Sequence, residues 1–294
     1  MMEPEYYVFT GRAGERIPRH ITHVLIALAL NFVPAWAFYQ HPNIQEVVCH
    51  DGVEKIEEGA FYHCHRLRRI IMPGVKEVGK GAFKGCGALT YIEWNKLEIV
   101  GTSAFSWCVS LSSVVLPSIK IVEINAFTHC RNLINARFGK DLESIRGAFK
   151  FCRSLERIAL PLKDGLVIDD NTFQLCVKLN HVDLVDSAVL DDIIATLLWE
   201  EWKDDMNEEI HSISRILPNT HSGSNSYSDV GGKAHAIRTW IRSLLRKIIQ
   251  YKAEHRHYLN VAAATLQQAL PNDIVHKNVL PFLELPSCTF EGED

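Results

Sequence analysis

No stretch of this chain holds the roughly 20 consecutive apolar residues that a membrane-spanning helix needs. The nearest candidate, VLIALALNFVPAWAFY over 24–39, falls short of that length and is interrupted by Asn31 and Pro34. The N-terminal MMEPEYYVF is acidic where a secretory leader would be basic and then apolar, and no Asn-x-Ser/Thr sequon occurs. Neither sign of charge is in large excess. Against 31 Lys and Arg stand 35 Asp and Glu, giving a formal −4 and a pI near 6.4, so no global field draws the chain to nucleic acid or anionic lipid and any basic surface must be local. The motifs GxxxxGK[ST], GxSxG and HExxH are all missing. His63, Cys64 and His65 are adjacent, but neighbours on an extended segment point apart, and a zinc site needs four convergent ligands. His255 and His257 likewise fall on different faces of a helix. No cofactor, no metal and no catalytic residue is therefore expected. With thiols read as reduced, these absences point to the cytosol or nucleus.

What is present is a repeat. Seven copies of one phrase begin at AFYQHPNI (37), AFYHCHRL (60), AFKGCGAL (82), AFSWCVSL (104), AFTHCRNL (126), AFKFCRSL (148) and TFQLCVKL (172). Their Phe residues are spaced 23, 22, 22, 22, 22 and 24 apart, so insertions are confined to the ends. A period of this length with fixed apolar columns marks a leucine-rich solenoid, in which each repeat buries its core only by stacking on its neighbours. Runs such as Leu111, Val114, Leu116 and Leu155, Ile158, Leu160 read as short strands, stopped by Pro73, Pro117 and Pro161. A second apolar pair, Val75 with Val78 or Ile119 with Val122, packs a return limb. By the same spacing, Leu30 and Val33 make 24–39 the first half-turn of the stack. The spacing predicts one parallel sheet along one side and a continuous Phe spine. Six of the eight Cys, at 64, 86, 108, 130, 152 and 176, share one column with His41, which predicts buried packing thiols because side chains stacked in register cannot converge into disulfides.

The phrase resembles the BspA-like leucine-rich repeat family, whose consensus runs approximately AFxxCxxLxxIxLPxxVxxIgxgAF. Copies at 60, 82, 104 and 148 match it closely, and the resemblance covers about residues 17 to 185. It implies a binding scaffold, often for protein recognition or adhesion, with no shared catalytic residues. Repeats followed by a helical tail are also similar to the members of this family found in diatoms and other protists.

Side chains alternate along a strand, so the residues flanking each inward Ile face outward. One outward column reads Glu46, Arg69, Tyr91, Ser113, Asn135, Arg157, His181; the other reads Val48, Ile71, Glu93, Val115, Arg137, Ala159, Asp183. Tyr and Arg are favoured interface anchors. The candidate partner-binding residues are Arg69, Tyr91, Glu93, Asn135, Arg137, Arg157 and His181.

After Leu184 the apolar period becomes helical. Leu190, Ile194, Leu197, Trp202, Met206, Ile210, Ile213 and Leu217 predict one long helix over 188–217 with an acidic polar face, and a breaker-rich flexible loop follows over 218–232. Ile237, Trp240, Ile241, Leu244, Leu245, Ile248, Leu259, Ala262 and Leu266 predict a second, basic helix carrying Lys233, Arg238, Arg242, Arg246, Lys247, Lys252 and Arg256. Opposite charge predicts an antiparallel hairpin with Trp199, Trp202 and Trp240 at its seam, and the segment 272–286 is read as a cap. The expected fold class is thus an α/β solenoid of short parallel strands over 17–186, followed by an all-α helical hairpin within 187–294. The expected function is a non-enzymatic scaffold that recognises a protein partner through the strand face. The alternative is an assembly module whose helices form a homo-oligomer or touch a membrane surface. A small-molecule substrate, nucleic acid and a membrane are not the expected partners.

Overall fold

The computed structural model describes residues 6–185, 187–195, 197, 199–217 and 232–267. An N-terminal strand β1 (Tyr6–Phe9) is followed by strand pairs, one per coil: β2 (His23–Ile26) with β3 (Phe32–Val33), β4 (Glu46–Val48) with β5 (Lys55–Ile56), β6 (Arg69–Ile71) with β7 (Glu77–Val78), β8 (Tyr91–Glu93) with β9 (Ile99–Val100), β10 (Ser113–Leu116) with β11 (Ile121–Val122), β12 (Asn135–Phe138) with β13 (Ser144–Ile145) and β14 (Arg157–Pro161) with β15 (Val167–Ile168). Strand β16 (His181–Val185) closes the series. Helices α1 (Ser187–Ala195), α2 (Glu200–Ile216) and α3 (Gly232–Gln267) follow. The chain separates into two compact units. Among the described residues, one holds the coils to Val185, apart from 162–164, together with Leu217 and 232–237; the other holds those three residues, those from 187 to 216 and 238–267.

All strand pairing is parallel, and the fixed period sets the register: Tyr91, Ser113, Asn135, Arg157 and His181 lie side by side, as do Glu93, Val115, Arg137, Ala159 and Asp183. The expected single sheet is instead two sheets. Strands β1, β2, β4 and β6 form a four-stranded sheet and β8, β10, β12, β14 and β16 a five-stranded one. The division falls beside Trp94, which occupies the inward position held by Met72 and Leu116 in the neighbouring coils and packs its buried indole 5.7 and 5.8 Å from the Phe83 and Phe105 rings. Phe138, also a large ring at the equivalent position, leaves its own strands paired, so side-chain size at this position does not by itself divide the sheet. The return limb, read only as packing, forms its own seven-stranded ladder from β3 to β15.

The Phe spine is present as expected. Phe38, Phe61, Phe83, Phe105, Phe127 and Phe149 stack at 4.9–5.4 Å with nearly parallel rings, all essentially inaccessible to solvent. The Cys column is buried and unpaired, as its spacing predicts. Each thiol also donates to the carbonyl of the Phe one coil back, from Cys64 to Phe38 (2.9 Å) through Cys176 to Phe149 (3.0 Å). His41 makes the equivalent bond to Pro18, 3.1 Å, which shows that the residues around Pro18 already form a coil. Each of these carbonyls also accepts a backbone N–H within its own turn, as Phe38 does from His41 and Phe61 from Cys64 (both 3.1 Å), so the thiol is a second donor that ties one coil to the next. At the other end of the same unit, the buried Lys233 ammonium donates to the Leu179 carbonyl of the last coil at 2.6 Å.

In the second unit the expected long helix over 188–217 is two. Helix α1 ends at Ala195 and α2 begins at Glu200, where Glu200 and Glu201 place negative charge in a first helical turn, the favourable end for it. The break lets Leu190, Ile194 and Leu197 bury independently of Met206 and Ile213. Helices α2 and α3 form the expected antiparallel hairpin: Trp240 donates to the Glu209 carbonyl at 2.9 Å, Lys247 pairs with Asp205 at 2.7 Å and Glu209 at 3.2 Å, and Trp202 stacks on Tyr251 at 4.9 Å. The Tyr251 hydroxyl also donates to Asp205. Of the three seam tryptophans, Trp240 is buried, Trp202 is half-buried and Trp199 is exposed, edge-on to Tyr258. The loop 218–232 lies outside the described residues except for its last position, and the 272–286 segment and Cys288 lie outside them entirely.

Candidate functional site

The strand face carries the residues nominated from the outward columns, but not as one patch. Tyr91, Glu93, Asn135, Arg137, Arg157 and His181 are all exposed on the five-stranded sheet, whereas Arg69 sits across the division on the four-stranded one. Much of the charge there is already matched. Arg157 lies 3.5 Å from Asp183, Arg69 lies 3.9 Å from Glu46, and Tyr91 donates to Glu93 at 2.6 Å, a bond that holds its phenol above the ordinary value. His181 shares a 2.6 Å hydrogen bond with Asn180. Arg137 differs: among the described residues its guanidinium has no ion pair or hydrogen-bonded side chain, and its register neighbours are Val115 and Ala159.

Outward columns on the strands miss a second surface, formed by the turns that open each repeat. The position two after Phe has a left-handed backbone in every copy: Gln40, His63, Gly85, Trp107, His129, Phe151 and Leu175 all have φ between 51° and 76°. Glycine adopts this freely; for a bulky residue it costs about 1–3 kcal/mol. Backbone bonds to the next coil hold it in place, for example His63 to Lys84 (2.7 Å) and Trp107 to Thr128 (2.9 Å). The side chains then project outward and stack. Trp107 lies 4.0 Å from His129, which lies 4.5 Å from Phe151, and toward the N-terminal end Trp36, Tyr39 and Tyr62 cluster within 6 Å of one another.

Electrostatically the turns differ from the rest of the coil. Return-limb charges are paired between coils, Lys55 to Glu77, Lys76 to Glu54 and Lys120 to Glu98, each at 2.8 Å. The seven turn octets contain no Asp or Glu, but hold Arg66, Lys84, Arg131, Lys150, Arg153 and Lys178. Among the described residues Lys84, Arg131, Lys150 and Arg153 have no carboxylate partner; Lys84 lies 5.5 Å from the Tyr62 ring and Arg131 lies 5.6 Å from the Trp107 ring. Burial lowers the pKa of His63 and His129, and neighbouring positive groups lower each further. The sequence signal for this surface was the absence of acids from every octet, which composition alone conceals.

Among the described residues no group of three or more His, Cys, Asp or Glu converges for a metal, and no helix is long and apolar enough to cross a membrane.

Comparison with known proteins agrees with the coils. The profile of the BspA type leucine rich repeat region matches residues 31–146 and 98–193, in six copies, together more than half of the chain. No curated protein matches. Among solved structures, a leucine-rich repeat protein of T. pallidum is 29% identical, covering 59% of this chain and 83% of its own, with a TM-score of 0.52. A leucine-rich repeat protein from Eubacterium ventriosum is 24% identical over 51% of this chain and 42% of its own, with a TM-score of 0.46. The chain belongs to the BspA type leucine-rich repeat family.

Proposed function

We propose that this chain is a non-enzymatic recognition scaffold whose protein partner docks across the five-stranded sheet, centred on Arg137. The observation that carries the reading is the state of that side chain: an exposed guanidinium without a partner among the described residues, set between Val115 and Ala159 on a sheet where Tyr91 pairs with Glu93 and Arg157 with Asp183. An unpaired Arg with apolar flanks offers a fork of donors and an aliphatic stem for one anchoring contact, and Tyr91 supplies an amphipathic ring on the same sheet. Leucine-rich repeat proteins commonly bind other proteins, which favours this class of partner without naming it. A photo-crosslinking side chain in place of Val115, with the same group in place of Lys120 on the return limb as control, tests it. The expected result is a discrete adduct from position 115 only, lost in Arg137→Ala. Equal adducts from both positions, or an affinity for the captured protein unmoved by Arg137→Ala and Tyr91→Ala together, would remove the strand face from consideration.

A second reading rests on α3, where Ile249 is 62% exposed and Val261 and Tyr258 are exposed further along the same helix. Covering them in a second copy would make the helices an assembly device. Light scattering on wild type and Ile249→Glu separates the two, since only assembly through α3 predicts a mass that drops in the variant.

A further inference from the structure

We propose that the turn face of the coils binds single-stranded nucleic acid, one base entering a slot over Gly85 between the rings of His63 and Trp107 while the strand's phosphates run past Lys84 and Arg131. The slot follows from the repeat. In the column two places after Phe, five successive coils hold His63, Gly85, Trp107, His129 and Phe151, so the ring stack of Trp107, His129 and Phe151 stops at Gly85, with the His63 ring on the far side of the glycine. His63 lies against the glycine: a Cβ at Gly85 would come within 3.1 Å of its ring. Trp107 is backed by His129 at 4.0 Å on the side away from Gly85, yet remains 43% exposed. Core rings in these coils are 5.1 Å (Phe61 to Phe83) and 5.2 Å (Phe83 to Phe105) apart, so two steps separate the coils of His63 and Trp107. A planar ring touching a wall on each side needs about 3.5–4 Å per contact, which two steps accommodate.

Charge selects the rest of the ligand. Lys84 beside the slot and Arg131 at the Trp107 ring have no acidic partners among the described residues, and the acid-free turns continue to Lys150 and Arg153 in the next coil. Stacking rings interleaved with cations is the arrangement that holds single strands without reading their sequence. A mononucleotide would use only the slot and its two cations; the further cations favour a strand. A duplex keeps its bases stacked internally and cannot fill the slot. The formal −4 of the whole chain does not oppose this, because charges more than about 10 Å away are screened at ordinary salt.

Fluorescence anisotropy on the full chain, with a labelled single strand of about 12 nucleotides, tests the idea. Binding should weaken steeply between about 50 and 200 mM salt. Trp107→Ala should lose roughly five- to hundredfold in affinity. Lys84→Gln with Arg131→Gln should flatten the salt dependence, and Tyr91→Ala, on the other face, should change nothing. Quenching of tryptophan fluorescence by an unlabelled strand, measured on the unaltered protein, gives a reading that does not depend on the folding of any variant. Absence of single-strand binding at low salt overturns the proposal. So does an unchanged Trp107→Ala affinity, or duplex, heparin or polyglutamate competing as well as the single strand, which would mark a general polyanion surface.

Discussion

Phe105→Ala is the sharpest test of the stack itself. The ring is essentially inaccessible, lies 5.2 Å from Phe83 and 5.4 Å from Phe127, and touches Trp94 at 5.8 Å, so contacts close on it from both coils and from within its own. Removing a ring so enclosed costs about 3–5 kcal/mol, because neighbours tied into three ladders cannot collapse into the void. For a unit of this size that corresponds to a fall in Tm of roughly 6 to 20 °C. The solenoid adds a positional signature. Stability in a stack is a sum of coil and nearest-neighbour terms, so an end ring should matter less than a central one. Phe173 has a spine neighbour on one side only, Phe149 at 6.1 Å, and Phe173→Ala should cost clearly less than Phe105→Ala. Urea unfolding followed by far-UV circular dichroism measures both. Wild-type stability in Phe105→Ala, or equal losses at the two positions, would refute a coupled core of stacked coils.

Three further outcomes follow from the same geometry. Gly139→Ala should destabilise by about 1–3 kcal/mol or more, since a Cβ there would lie 1.6 Å from the Pro117 carbonyl oxygen of the previous coil; an unaltered urea midpoint would show that the coils are looser than this contact requires. The native thiols of Cys64, Cys86, Cys108, Cys152 and Cys176 should resist alkylation at pH 8 until the protein unfolds, because burial pushes Cys64 and Cys176 up to about 12 and the other three well above the ordinary range; mass spectrometry that finds any of them modified at a peptide-like rate would contradict it. Burial lowers the pKa of His41, His63 and His129 below 6.5, so below that pH the unfolded chain binds more protons than the folded one and stability should fall as pH drops from 7 toward 5; a midpoint that rises on acidification would reverse the sign.

How much of this the residues announce depends on which side of the chain they face. Inward positions must satisfy the same hole in every coil, so Phe, Cys and Leu recur at fixed spacing and the solenoid, its spine and its thiol column can be read directly. The same logic gives the outward columns on the strands, because alternation is a property of the backbone. Local exceptions are less visible. The division of the expected single sheet between β6 and β8 has no counterpart in the repeat, whose period runs through it unchanged. The Glu200 and Glu201 pair reads as acidic decoration on one long helix, although it begins a new one. The two residues between Ala-Phe and Cys read as spacers, since nothing in their variety, Tyr-His, Lys-Gly, Ser-Trp, Thr-His, reveals that the second is left-handed in every copy.

That last column carries the broader argument. A period of about 22 places like positions one coil apart, so a Lys and a Glu at equivalent sites pair automatically, as Lys76 does with Glu54 and Lys120 with Glu98. Such exposed pairs contribute only about 0–1 kcal/mol each, so their presence on the return limb is no condition of folding. Their absence from the turns is no condition of folding either. An acid in any turn octet would have been paired by the same register at the same negligible cost, and seven octets hold none. Rings are set into strained backbone at the same positions where glycine, as Gly85 shows, fits without strain. Stacking of about 0.5–1.5 kcal/mol per ring pair offsets part of that strain, and the two choices together leave cations and aromatic edges facing outward on one side. The core explains why the chain folds; it does not explain this side, which makes the turns the place where selection for a ligand is to be sought.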